Sequence, residues 1–179
     1  MVYYIDRDKE GEMMIKFIAY LLGFAALMTQ TSALQAAEVE VKWSNPDKYT
    51  DIDAGEGHRK HFKERVFKSF EEHFVKMAAL LPEHQKLVLD ITDLDLAGDV
   101  NFGGTRRIRI VKDLFFPRLE FNYQLLNADN SVVKSAEVSL KDMSFLIHNG
   151  LKYRSKSFGY EKEMFDKWFN TTFANELKK

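Results

Sequence analysis

The chain has 179 residues, of which 45% are hydrophobic and 30% charged, and this length and composition are typical of one globular domain. It contains no cysteine, which excludes disulfides, thiolate metal sites, iron–sulfur clusters and cysteine nucleophiles. The formal net charge is -1, so no overall field attracts nucleic acid or anionic lipid.

The N-terminal region predicts export. Residues 17–28 form an uncharged, mostly apolar run behind Lys16, and the run is shorter than the about 20 apolar residues of a membrane-spanning helix. Small residues at Ala36 and Ala37 suit signal peptidase, whereas residues 1–12 carry an acidic excess that a signal peptide lacks. An uncleaved anchor helix is the alternative. We predict an upstream mis-start or disordered stretch at 1–12, a signal peptide at 13–37 and a single globular domain at 38–179, exported to the periplasm through a Sec-type signal.

A strand and a long helix are predicted at the start of the mature chain. Residues 39–43 alternate between apolar and polar side chains, which is the period-two pattern of a half-buried strand, and Pro46 follows. Apolar residues then recur every three or four positions over 58–81, which predicts an amphipathic helix that Pro82 closes.

Further strands and a second helix are predicted in the rest of the chain. Residues 86–97 and 106–111 are predicted to form a hairpin or two neighbouring strands around a Gly103–Gly104 turn, and 119–125 with 132–140 form the clearest hairpin. A second amphipathic helix is predicted from about Tyr160. This order predicts an α+β fold, with an antiparallel sheet of about four to five strands and two amphipathic helices packed on one face.

The segment 90–101 is unusually acidic. On a regular strand, Asp93 and Asp95 continue the face that carries the preceding apolar residues, so both carboxylates require a partner. The nearby arginines favour ion pairing, while a strand end in water and a divalent metal are the alternatives. We predict a binding or structural polar network formed by Asp93, Asp95, Asp99, Arg107, Arg109 and Arg118.

Two catalytic or metal sites are weaker interpretations. Asp93 and Asp95 would lie about 7 Å apart along a strand face, a separation that a glycosidase can use, but no nucleophile or sugar-binding context accompanies them. His58, His61 and Glu64 share a helical flank that could bind zinc, yet they lack the HExxH arrangement and adjoin basic residues typical of a solvated surface. We predict no metal and no cofactor, and we assign no catalytic residue.

Several short motifs between Val39 and Met143 carry a family resemblance. The most specific is the run from Thr92 to Gly98, Thr-Asp-Leu-Asp-Leu-Ala-Gly. The others are Val41-Lys42-Trp43 with Pro46, Tyr49, Thr50 and Asp51; Leu81-Pro82 with Leu87; Pro117-Arg118-Leu119 with Phe121 and Tyr123; and Asp142-Met143. In these motifs the chain resembles the secreted Gram-negative bacterial proteins catalogued as domain of unknown function 3016. The resemblance implies export and a single compact domain, and it supplies no activity.

The expected function is that of a periplasmic, non-enzymatic binding or interaction domain. Its expected partner is an unknown envelope protein or a small ligand, and the alternative is a carboxylate- or metal-dependent hydrolase acting on cell-envelope material. Nucleic acid is not expected, because glutamates share the polar face of the first helix with its basic residues. No membrane span is expected after signal cleavage.

Overall fold

The computed structural model of the chain describes residues 37–100, 106–147 and 150–178. The predictions for 1–12, for the signal peptide up to residue 36 and for the Gly103–Gly104 turn lie outside these residues. Gln35–Lys179 forms one compact unit. Within the described ranges, no helix is both long enough and apolar enough to cross a bilayer.

The described residues form a four-stranded sheet, a two-stranded ribbon and two α-helices. The predicted strand at 39–43, both predicted helices and the hairpin of 119–125 with 132–140 are confirmed. In chain order the elements are β1 (Glu38–Trp43), a 3-10 turn (Pro46–Lys48), α1 (Arg59–Ala78), β2 (Lys86–Asp95), β3 (Asp99–Val100), β4 (Arg109–Ile110), β5 (Arg118–Leu126), β6 (Val132–Lys141) and α2 (Gly159–Thr172).

The main sheet has the strand order β1-β2-β5-β6, and the α+β class is confirmed. The expectation of a purely antiparallel sheet is wrong at one pair, because β1 and β2 run parallel. Parallel neighbours need a long crossover connection, and the segment that contains α1 supplies it. The predicted strand at 106–111 is reduced to β4, which pairs with β3. It cannot pair with β2, since β1 and β5 already occupy both edges of that strand.

Aromatic rings dominate the hydrophobic core. Side chains of both helices join one buried cluster with the inward-facing residues of β2 and β5. The fully buried Phe165 of α2 lies 4.6 Å from the ring of Phe74 in α1 and 5.9 Å from that of Phe121 in β5, measured between ring centroids. Each such ring buries a large apolar area and adds favourable edge and tilted contacts, so the core stabilises a domain that has no disulfide.

Candidate functional site

A β-bulge decides which way the acidic end of β2 faces. The register between β2 and β5 shifts between Ile91 and Asp93, which leaves Thr92 as the extra residue. Because side chains alternate along a strand, this shift turns Leu94 into the core and turns Asp93 and Asp95 away from it. The expectation that the apolar face itself becomes acidic is therefore wrong, since a regular strand without a bulge was assumed.

Arg109 is the centre of the polar network at this end of the sheet. It donates from Nη1 to Oδ2 and from Nη2 to Oδ1 of Asp51, and both distances are 2.9 Å. It also donates to the carbonyl oxygens of Leu96 at 3.2 Å, Gly98 at 2.8 Å and Asp53 at 3.2 Å. A bidentate arginine–carboxylate pair is strong and directional, so Arg109 fixes the loop after β1 against the end of β2 and against β4.

Arg107 binds the same loop at residues that follow Asp51 in the chain. Its Nη2 donates to Oδ2 of Asp53 at 3.0 Å, and its main chain exchanges hydrogen bonds with Glu56. Gly55 adopts a φ of +64°, and a Cβ at this position would lie 2.2 Å from the carbonyl oxygen of Arg107. Only glycine fits this close approach, which lets the loop pack directly on the main chain that leads into β4.

Gly98 ends the most specific sequence motif, and glycine is required at this position for a similar reason. Its φ is +84°, and a Cβ would lie 2.6 Å from the carbonyl oxygen of Ile110. Its amide donates to the carbonyl of Phe115 at 2.9 Å. The glycine therefore lets the chain leave β2 beneath the ribbon of β3 and β4.

The two aspartates of the motif have different partners. Asp93 accepts hydrogen bonds from the amide of Thr50 at 2.7 Å and from its hydroxyl at 2.6 Å, so this carboxylate is satisfied without an arginine. Asp95 has its counter-charge in Arg118, whose Nε lies 3.7 Å from Oδ2, too far for a hydrogen bond. The side chain of Asp95 is only 17% exposed, so this carboxylate is both largely buried and only loosely paired.

Burial dominates the electrostatics of Asp95. The pKa of this carboxyl is raised to about 6, mainly by burial and to a smaller extent by the neighbouring carboxylates of Asp51 and Asp93, against the attraction of Arg118 and Arg109. Asp95 consequently changes charge between about pH 4 and pH 7. Perturbed carboxyls of this kind are concentrated at functional sites, although structural clusters also produce them.

A cavity of about 720 Å³ opens beside Asp95. It lies between the loop after β1, the start of α1, the end of β2 and the segment before β5. Aromatic side chains form one part of its wall and charged side chains the other. The residues that matter for its chemistry are Asp95, Asp99, Arg59, Arg118, Phe115 and Phe116. The volume falls in the range of about 300 to 1,000 Å³ that small-molecule sites occupy.

The six predicted network residues therefore do not form one network. Asp95, Asp99 and Arg118 line the cavity, Arg107 and Arg109 brace the loop behind it through Asp53 and Asp51, and Asp93 is bound by Thr50. Asp99 accepts a hydrogen bond from the amide of Val100 at 2.8 Å. The predicted network contains neither Asp51, which the sequence indicated only as part of a family motif, nor Asp53, although positions in a loop with glycine are typical of residues that fix a turn.

Glu161 of α2 supports the acidic motif from the core side. It is 2% exposed and accepts a hydrogen bond from the amide of Ala97 at 2.7 Å. Burial raises the pKa of Glu161 above its ordinary value. The sequence did not predict a role for Glu161, because this residue lies 64 positions from Ala97 in the chain and no local pattern links the two.

A second buried polar cluster lies between the two helices. Nε2 of His73 is 2.6 Å from Oδ1 of Asp166, and the hydroxyl of Tyr153 donates to Oδ2 of the same carboxylate. Nζ of Lys152 lies 3.4 Å from that oxygen. The sequence indicated no partner for His73, since Asp166 is 93 residues away. None of these four residues lines the cavity beside Asp95.

The alternative zinc site on α1 is not assembled. Nδ1 of His61 lies 3.4 Å from Oε2 of Glu64, and both side chains are exposed. Across the described parts of the chain, no group of three or more His, Asp or Glu side chains is placed to hold a metal ion.

We expect opposite stability effects from the two aspartates of the motif. Because the native pKa of Asp95 exceeds its ordinary value of 3.8, native stability falls as the pH rises from about 4 to about 6 and stays lower above that range. Asp95→Asn should therefore stabilise the domain by about 1 to 2 kcal/mol near pH 7 and have little effect near pH 4. Asp93→Asn should cost about 1 kcal/mol, since it weakens the bonds from Thr50. Urea unfolding at both pH values measures both changes, and destabilisation by Asp95→Asn near pH 7 would contradict this account.

Comparison with known proteins adds a family and nothing further. Residues 37–171 match the family described as protein of unknown function (DUF3016). A search of curated proteins found no match, and neither did a search of solved structures. The matched segment contains β1 to β6, most of α2, the cavity and the network around Arg109. By this match over most of its length, the chain belongs to the DUF3016 family.

Proposed function

We propose that this domain is a periplasmic, non-enzymatic binding protein that takes a small organic cation into the cavity beside Asp95. The observation that carries the proposal is the incomplete pairing of Asp95 on the cavity wall, where Arg118 approaches only to 3.7 Å. A buried carboxylate without a close counter-ion is costly, and a bound cation removes that cost.

The other acidic groups around the cavity support this assignment by contrast. Asp51 is held by Arg109 and Asp53 by Arg107, while Asp47 lies 2.6 Å from Nζ of Lys63. The charge of these three carboxylates is already balanced within the protein, which leaves Asp95 and the neighbouring Asp99 as the acidic groups that a ligand would meet. The ring of Phe115 adds an apolar surface suited to the hydrocarbon part of such a ligand, whereas the guanidinium of Arg118 lies over the ring of Phe116, 4.7 Å from its centroid.

Thermal unfolding in the presence of defined probes tests the proposal. We use residues 37–179, because the entire hydrophobic cluster lies within the compact unit Gln35–Lys179. Putrescine or arginine should raise the melting temperature more near pH 7 than near pH 5, because Asp95 is mostly ionised near pH 7 and mostly protonated near pH 5. Succinate, an anion of similar size to putrescine, is the matched ligand control.

The variants then locate the effect. Asp95→Asn should remove most of the shift caused by the cationic probes, whereas Asp47→Asn, which changes a carboxylate already paired with Lys63, should retain it. A shift that succinate produces equally well, or one that Asp95→Asn leaves unchanged, would contradict binding of a cation at this site.

A carboxylate-dependent hydrolase acting on cell-envelope material is the second candidate. The pKa of Asp95 suits a general acid near neutral pH, which favours this candidate. The geometry does not favour it, because Asp51, the adjacent carboxylate, is locked by Arg109 and Tyr49 donates its hydroxyl to the carbonyl of Ile91. Release of soluble fragments from purified peptidoglycan by the wild type, but not by Asp95→Asn, would establish the hydrolase instead.

The periplasmic location rests on the N-terminal sequence. The apolar run at 17–28 precedes small residues at Ala36 and Ala37, and β1 begins at Glu38, so cleavage there removes no described helix or strand. Ala37 is buried in the hydrophobic cluster, which favours a cut after Ala36. Expression of the whole chain in a Gram-negative host, followed by fractionation and mass measurement, should yield a periplasmic species that starts at Ala37. A full-length product retained in the membrane would establish the anchor helix instead.

A further inference from the structure

Large apolar side chains project into solvent from the segment between β6 and α2. Leu151 is 82% exposed and Ile147 79% exposed, which is unusual for residues of this size. Single exposed apolar residues are common on protein surfaces, but a group within one short segment indicates an interaction site. The projecting residues in the described part of this segment are Met143, Leu146, Ile147 and Leu151.

Two aromatic residues hold this segment on the domain. Phe145 is 2% exposed, and its ring meets that of Tyr160 edge-on with 4.8 Å between centroids. Tyr153 is also buried and donates its hydroxyl to Asp166 of α2. In the chain, Ile147 and Leu151 therefore lie between two inward anchors, Phe145 on one side and Tyr153 on the other.

The same segment is strongly basic. The acidic residue in its described part is Asp142. Oδ2 of Asp142 lies 3.6 Å from Nζ of Lys167, which balances the charge of the carboxylate. Lys152 keeps 64% of its side chain exposed even though it contacts Asp166. The exposed basic residues that accompany the projecting apolar group are Lys141, at the end of β6, and Lys152 and Lys156 of the segment, in a chain whose overall formal charge is -1.

We infer that this surface, formed by Met143, Leu146, Ile147 and Leu151 with the basic residues Lys141, Lys152 and Lys156, docks onto an anionic lipid bilayer. Long basic side chains reach the headgroups while short apolar side chains enter the boundary with the acyl chains. Projecting side chains suit a fluid interface, which adapts to them, whereas a protein partner would need a matching pocket. This inference does not depend on the cavity or on its ligand.

Vesicle sedimentation of residues 37–179 tests the inference. We expect binding to vesicles of phosphatidylglycerol mixed with phosphatidylcholine, weaker binding to phosphatidylcholine alone, and release as the salt concentration rises. Replacing one basic residue, as in Lys156→Gln, should lower the partition coefficient about fivefold. The double variant Ile147→Glu with Leu151→Glu should lower it by at least about tenfold, because each change removes an apolar contact and adds repulsion.

Val132→Glu is the matched control, because Val132 is an exposed apolar residue on β6, outside the proposed surface. It should bind vesicles like the wild type, and circular dichroism should show that all variants fold. Equal binding to neutral and anionic vesicles would overturn the inference, as would unchanged binding by the Ile147 and Leu151 variant. Concentration-dependent dimerisation without vesicle binding would show that a second copy covers the surface, and would also overturn it.

Discussion

Arg109→Met should destabilise the domain by about 3 kcal/mol, because it leaves the largely buried carboxylate of Asp51 without its bidentate partner. The substitution also removes the donors to three carbonyl oxygens, which lie on both sides of the junction between β2 and the loop after β1. Met preserves much of the length and apolar stem of arginine, so the loss reports the polar contacts more than the packing. Urea unfolding monitored by tryptophan fluorescence measures it.

Arg118→Met is the control for this experiment. Its guanidinium is half exposed and lies 3.7 Å from Asp95, so its removal should cost less than about 1 kcal/mol. The double variant Arg109→Met with Asp51→Leu should recover part of the loss, since no buried charge is then left unpaired. Equal losses in Arg109→Met and Arg118→Met would show that Arg109 is not the centre of the network.

Asp166→Ala should be comparably damaging, with a loss of about 3 kcal/mol, because one buried carboxylate satisfies His73, Tyr153 and Lys152 together. These contacts join α1, the segment before α2 and α2 itself, so the change loosens the packing of both helices. Lys167→Ala is the matched control on the next residue. Its ammonium is half exposed and pairs with Glu163 and Asp142, so we expect a loss below about 1 kcal/mol.

The pH dependence of the stability loss in Asp166→Ala shows whether the loss comes from the charge of the carboxylate or only from removal of the side chain. Burial alone raises the pKa of Asp166, but hydrogen bonds from His73 and Tyr153 outweigh it and hold the pKa below its ordinary value of 3.8. The stabilisation from the ionised form is therefore complete above about pH 4 and is lost as the pH falls through the lowered native pKa. The difference between wild type and Asp166→Ala should therefore narrow as the pH falls below about 4. A difference that stays unchanged well below pH 4 would contradict this assignment.

Local patterns in the sequence were sufficient for most of the secondary structure. The apolar spacing over 58–81 predicted α1, and the turn-forming residues at 127–130 between two alternating stretches predicted the hairpin of β5 and β6. Both signals are periodic within one segment, which is why they can be read without knowledge of the rest of the chain. The family resemblance was likewise carried by short motifs, and the match over residues 37–171 confirms it.

Features that depend on one extra residue or on distant partners could not be predicted in this way. The bulge at Thr92 changes the direction of Asp93 and Asp95, and its presence depends on how β5 pairs with β2. The parallel pairing of β1 with β2 likewise follows from the path of the whole crossover that contains α1.

Local sequence patterns were enough to predict the α+β class, the family, the elements with strong periodicity, and the set of acidic and basic residues from which a polar network could form. Which of these residues pair with one another depends on the folded chain. Arg109 meets Asp51 across 58 positions of the chain, His73 meets Asp166 across 93, and Asp95 is left with a loosely held arginine at a cavity. A carboxylate can be satisfied by any nearby donor, so its partner is chosen by packing and register rather than by residue type, and packing and register are properties of the folded chain.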